Sequence, residues 1–128
     1  MELEAHGELE TLKRHEKILL NLAQKMNIGI TKIYREVVSG ESIDARPVMQ
    51  ELLNDVDDKL WEGVLVMEIE RLARGDTIDQ GIVARTFRTS ETKIITPNKT
   101  YDLSNDSDEE YVEFGLFMSR REYKTINR

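Results

Sequence analysis

The sequence predicts an α/β fold, with a mostly parallel sheet flanked by helices and a long helix at the C-terminal end. Three observations predict it. Amphipathic stretches alternate with short apolar or β-branched runs in the order helix, strand, helix, strand, helix, strand, helix, which implies right-handed crossovers. The run "GVLVMEI" is short, apolar and bounded by charge, and fits a strand buried on both faces, as parallel sheets have. "SDEE" at 107–110 has the spacing of a capping box and precedes a stretch that reads as one long helix to residue 128. With 128 residues, no repeat and no low-complexity linker, the chain is one domain.

In chain order, residues 8–27 read as a helix, because Leu12, Leu19, Leu22 and Met26 recur at three- and four-residue steps. His15 falls on that stripe and is expected in the core. "ITKIYREVV" at 30–38 is rich in β-branched residues and suggests a strand, which "SGESIDA" breaks. Pro47 suits the first turn of a helix that continues through Met49, Leu52, Leu53 and Val56. Trp61 is expected to pack at the entrance of the apolar strand. Residues 77–89 look helical, with Ile78, Ile82 and Phe87 facing inward, and "KIIT" is a short strand stopped by Pro97 and Asn98. In the last helix, from about 108 to 128, Tyr111, Phe114, Phe117 and Met118 lie on or near one face. The chain opens with a helix and closes without a glycine stop, so it is expected to be a piece of something longer.

Composition narrows the function classes. Hydrophobic residues make up 39% and charged residues 34%, enough for a modest core. No run approaches the roughly 18 apolar residues of a membrane span, and the acidic start "MELEAHGELE" is no secretory signal. Without cysteine there is no disulfide and no thiolate metal site, and His6 and His15 are too few for a metal centre. The expected compartment is the cytoplasm, and no cofactor is implied. The net charge is −7, so nucleic acid would be met through a local arginine cluster or through another domain.

Two loops at the carboxyl ends of predicted strands gather the charged groups, where sites lie in such sheets. One carries Glu36, Ser39, Gly40, Glu41, Asp44 and Arg46; the other carries Glu70, Arg71, Arg74 and Asp76. If their strands are neighbours, Arg46, Arg71 and Arg74 face one cleft. Guanidinium forks match phosphate oxygens and stabilise the added charge of a phosphoryl transition state. Glu70 then orients an arginine. The plainer reading is that Arg71 and Arg74, three apart, are solvated at a helix start and pair with Glu70 at the surface, a contact worth about 0–1 kcal/mol. Ser39–Gly40 is an ordinary turn pair on the same footing. Arg120, Arg121, Lys124 and Arg128 give the last helix a basic end, either as dipole compensation or as a path toward nucleic acid.

Three blocks, in order, resemble the catalytic domain of serine site-specific recombinases, especially the large serine integrases and transposon recombinases. "YREVVSGESIDARP" looks like that family's strand, acidic residue, Ser-Gly and arginine before a helix. "GVLVMEIERLARG" looks like its buried strand followed by acidic-Arg-Leu-small-Arg. "ITPNKTYDLSNDSDEEYVEFGLFMSRREYKTINR" looks like the strand and hairpin leading into the long helix of the large members. The resemblance implies enzymes that cut DNA through a 5′-phosphoserine link, exchange strands within a tetramer and religate without metal or nucleotide. By position, Arg46, Arg71 and Arg74 match the phosphate-binding arginines, Glu70 the acidic residue beside them, and Glu36, Ser39 and Gly40 the acidic-Ser-Gly block. The terminal helix matches the one used for dimer and tetramer contacts and for crossing DNA, which makes DNA and further copies of the chain the expected partners.

The sequence departs from that pattern twice. Nothing in residues 1–10 matches the family's Tyr-x-Arg-x-Ser strand, which bears the nucleophile, and "ETLKRHEKIL" aligns with the family's residues just after that strand. The nucleophile is therefore expected upstream of Met1. This chain alone is expected not to cut DNA, and to self-associate through the sheet surface a lost strand exposes. The family also often has glutamine where this chain has His15. A non-enzymatic α/β interaction or signalling domain is the alternative. A receiver-like site needs an acidic cluster for Mg²⁺ after the buried strand, and two arginines stand there instead.

Overall fold

The computed structural model describes residues 2–36, 43–73 and 77–105. Helix α1 spans Glu2–Lys25. It closes on Asn27, whose φ of 59° lets the Ile28 N–H reach back to the Ala23 carbonyl at 2.8 Å. The chain then runs through residues 29–36 to α2, Pro47–Asp57, whose first turn takes Pro47 without losing a helical hydrogen bond. Strand β1 is Gly63–Leu65 and a 3-10 turn covers Ile69–Arg71. Helix α3 spans Thr77–Ser90, followed by β2, Lys93–Ile95, and β3, Thr100–Tyr101.

The described strands form one sheet in the order β1-β2-β3. β1 and β2 are parallel with Val64 opposite Ile94, as a helical crossover through α3 requires. β2 and β3 are antiparallel, joined by the Thr96–Lys99 turn, in which the Thr96 N–H donates to the Lys99 carbonyl at 2.9 Å. The sheet is thus small and mixed rather than mostly parallel, because the residues after Pro97 fold straight back along β2 instead of crossing over. Gly63 fits where β1 approaches β2 closely: a Cβ there would stand 2.9 Å from the Ile95 Cδ1.

The core lies between α2, α3 and this sheet. Val56, Val83, Phe87, Ile94 and Leu103 are at most 1% exposed. Trp61 packs partly buried against the same cluster, as the sequence suggests. Three expectations are corrected. Residues 30–38 do not form a strand as far as they are described: 29–36 pair with no other strand, since strand character needs a neighbour's backbone as well as β-branched residues. β1 is half-buried rather than buried on both faces, because one of its edges has no partner among the described residues. Ile78 and Ile82 face outward, at 72% and 44% exposure. The rotation of α3 is fixed by Asp79, whose carboxylate turns inward to accept the Ile43 N–H at 3.0 Å, so Val83, Ala84 and Phe87 become the buried face. The long terminal helix expected from about 108 lies outside the described residues.

Candidate functional site

Local sequence fixes the 3-10 turn at the end of the β1 segment. Ile69, Leu72 and Ala73 are buried pegs, at 6%, 2% and 1% exposure. With those three inside, Glu68, Glu70 and Arg71 are left on the outer side. The turn is closed by the Arg71 N–H to the Glu68 carbonyl at 3.1 Å and the Leu72 N–H to the Ile69 carbonyl at 3.0 Å. Apolar and charged residues mix in this short stretch because each set is held on one side.

Arg46 reaches across to this turn. Its NH2 donates to the Arg71 carbonyl at 3.1 Å and its NH1 to the Leu72 carbonyl at 3.3 Å, while its Nε donates to the Glu36 Oε1 at 3.0 Å. The other Glu36 oxygen accepts the Val48 N–H at 2.8 Å. One carboxylate therefore aligns an arginine and caps α2, whose own N-cap residue, Arg46, gives no side-chain cap. Both partners are largely shielded, Arg46 at 16% and Glu36 at 11% side-chain exposure, where a charged pair is stronger than at the surface. A guanidinium has five N–H donors. The three bonds leave two of them beyond the described partners.

Other alternate residues of the 29–36 stretch also bind α2. Lys32 donates to Glu51 at 2.5 Å and to Asp55 at 3.1 Å. The Tyr34 hydroxyl donates to Asp55 and accepts the Trp61 Nε1–H at 2.8 Å. Lys32, Tyr34 and Glu36 show the two-residue alternation of an extended chain. On the other side, Arg35 pairs with Glu16 of α1 at 2.6 Å. Burial and the bond to Asp55 raise the Tyr34 pKa, while the Tyr34 hydroxyl and Lys32 hold the Asp55 carboxyl below its ordinary range.

His15 is half-buried rather than in the core. Burial, then Arg71 and Arg14, push its pKa below the ordinary histidine value, and Glu68 opposes them. Arg46 thus lies against the turn that carries Glu70 and Arg71. Among the described residues it is Glu36, not Glu70, that pairs with Arg46. Ser39 and Arg74, like Arg120, Arg121, Lys124 and Arg128, lie outside the described residues. No group of three or more His, Asp or Glu side chains suited to a metal ion occurs among the described residues. An open cleft of about 350 Å³ between α2 and α3 is lined by none of the site residues named above.

Residues 5–127 match the family profile described as the resolvase N-terminal domain. The chain belongs to that family. Its members are serine recombinase catalytic domains, in agreement with the order of the three sequence blocks. The fold is similar to the crystal structure of the N-terminal catalytic domain of TP901-1 integrase, with a TM-score of 0.66 over 89% of this chain and 88% of that one at 23% identity. At that identity the likeness concerns the fold. Sequence reasoning on this resolvase-family domain missed the Glu36 cap of α2 and the carbonyl seat of Arg46. The one available signal was the alternation of Lys32, Tyr34 and Glu36, which marks a face.

Proposed function

We propose that this domain holds a DNA phosphodiester between Arg46, Arg71 and Arg74, in a recombinase that cuts and rejoins DNA through a phosphoserine link. The observation that carries the reading is the seat of Arg46. Its guanidinium is fixed on the Arg71 and Leu72 carbonyls, which ties Arg46 to the turn that carries Arg71. A serine oxygen attacks phosphorus, the bond to the 3′-oxygen breaks, and the arginines neutralise charge on the phosphoryl oxygens and the leaving oxygen. Glu36 sets the plane of Arg46, and Glu70 flanks the pair.

Ser39 is not the nucleophile in this reading. It matches the Ser-Gly position of the family, and no residue from 1 to 10 matches the serine-bearing strand. The 128-residue chain alone therefore forms no covalent link to DNA. The basic residues Arg120, Arg121, Lys124 and Arg128 contact DNA, and the terminal segment joins copies of the chain into dimers and tetramers. The family match leaves the signalling-domain alternative with no observation in its favour.

The test is Arg71→Ala together with Arg74→Ala in a recombinase that includes this domain and the serine strand. Loss of one transition-state donor costs about 10²–10³-fold in rate, so recombination falls at least that far while the far-UV circular dichroism is unchanged. Recombination at the original rate would remove the site assignment. A covalent DNA adduct of the 128-residue chain would overturn the reading of Ser39.

A further inference from the structure

We propose that Asp79 is a positioning residue for Arg46: its carboxylate holds the Ile43 N–H, and through the short turn that starts at Ile43 it sets where the Arg46 guanidinium stands. This rests on the phosphate-pocket reading above and adds to it a carboxylate that lies outside the arginine pattern.

Asp79 stands in the first turn of α3 and is 9% exposed. An acidic residue at a helix start is ordinary on dipole grounds; its bond to a distant turn is not. The Asp79 Oδ2 accepts the N–H of Ile43, 36 residues earlier in the chain, at 3.0 Å. Ile43 opens the 3-10 turn Ile43–Ala45, and Arg46 follows directly. The Ile43 carbonyl accepts the Arg46 N–H at 2.9 Å and the Gln50 Nε2–H at 2.8 Å. The Gln50 amide also reaches the Asp44 carbonyl at 3.2 Å. Both backbone polar groups of Ile43 are therefore held, the N–H from α3 and the carbonyl from α2, and the Arg46 backbone hangs on that carbonyl.

Arg46 in turn binds the Arg71 and Leu72 carbonyls at 3.1 and 3.3 Å. The segment Ile43–Arg46 is thus tied at both its ends to the chain that runs from Arg71 to Asp79. Two ties fix a direction as well as a distance, and a guanidinium must be directed for its remaining N–H groups to meet phosphate oxygens. Glu36 sets the plane of the guanidinium; Asp79 sets the base from which the side chain starts. Without the Asp79 carboxylate the Ile43 N–H, on a residue only 8% exposed, loses this acceptor. A shielded N–H finds a new partner at the expense of the old geometry, so the turn moves and Arg46 moves with it.

Asp79→Ala, Asp79→Asn and Val83→Ala in the 128-residue chain are the test. Asn keeps one oxygen for the Ile43 N–H. Val83→Ala loosens the buried face of the same helix without touching that bond. By NMR, Asp79→Ala should speed hydrogen exchange at the Ile43 N–H and shift the Arg46 Nε–H signal. Asp79→Asn should recover most of both, and Val83→Ala should leave the Arg46 signal in place. Should Asp79→Ala not fold, Asp79→Glu takes its place, because the added methylene displaces the accepting oxygen and keeps the charge. In a recombinase that includes this domain and the serine strand, Asp79→Ala should lower recombination about tenfold or more, since a misplacement of about 1 Å can cost on the order of 10²-fold. Asp79→Asn should restore most of that loss. If Val83→Ala shifts the Arg46 signal as far as Asp79→Ala does, or if Asn fails as Ala does, the packing of α3 acts rather than the bond, and the positioning role is overturned. Arg46→Ala separates the remaining failures. If it recombines at the original rate, the phosphate pocket is wrong and this proposal falls with it. If it abolishes recombination while Asp79→Ala keeps the full rate, the pocket stands and the role of Asp79 is overturned.

Discussion

Two halves of this domain are held together by different physics. In the half built from α2, α3 and the sheet, Val56, Val83, Phe87 and Ile94 are fully buried. In the half built from α1 and residues 29–36, Leu9, Ile18, Leu20, Met26, Ile30 and Ile33 remain 37–43% exposed, and the links are polar: Arg35 to Glu16, Lys32 to Glu51 and Asp55, Tyr34 to Asp55, Glu36 to Arg46. Packing holds the first half and directed bonds align the second. Arg46 and the turn it binds sit on the seam, with the turn pegged into the core by Ile69, Leu72 and Ala73 and Arg46 held by Glu36. A packed half supplies stability, and a bonded half supplies alignment that a single substitution can release.

The largest expected effect tests the packed half. Phe87→Ala removes a fully buried ring and leaves a cavity in the core cluster. The expected cost is about 3–5 kcal/mol in urea unfolding. A cost below about 1 kcal/mol would mean that the core is not where the packing places it.

Glu36→Ala tests the seam. It removes the partner of the Arg46 Nε and the acceptor of the Val48 N–H in one step. Breaking a shielded pair and losing a helix cap together cost about 2–3 kcal/mol. The stability loss should be smaller than for Phe87→Ala, but the Arg46 side-chain NMR signal should lose its dispersed position. Glu36→Gln keeps one acceptor oxygen and replaces the other with an amide donor, so it should recover at most one of the two bonds. An unmoved Arg46 signal in Glu36→Ala would show that the Arg71 and Leu72 carbonyls suffice to seat it.

The contrast also explains what could be read from sequence. The helices were legible because each carries its own apolar period: Met49, Leu52, Leu53 and Val56 announce α2 without help from elsewhere. The facing of α3 was not, because Asp79 decides it through a bond to Ile43, 36 residues away. Residues 30–38 have the composition of a strand, but pairing is a property of two segments. The arginines are proposed from spacing and resemblance. The seat of Arg46 on a carbonyl 26 residues distant is a tertiary fact with no local mark. His15 was misplaced for the same reason: between Leu12 and Leu19 its position reads as core, and only the fold shows that this part of α1 is half-covered.

The smallest expected effect separates the halves by pH. The Tyr34 hydroxyl and Lys32 depress the Asp55 pKa. A carboxylate depressed in the folded state contributes stability above its unfolded value, about 3.9, and loses that contribution as the pH falls through the lower folded value. The bond from Tyr34 to Asp55 should therefore loosen in acid. Trp61 is the only tryptophan and donates to the Tyr34 hydroxyl at 2.8 Å, so its fluorescence reports on the seam. Acid titration should shift the Trp61 emission before the far-UV circular dichroism of the helices changes. In Asp55→Asn the emission should already start near its acid position and vary little with pH. If emission and dichroism move together at every pH in the wild type, the two halves melt as one unit and the polar links are part of the core's cooperativity rather than a seam beside it.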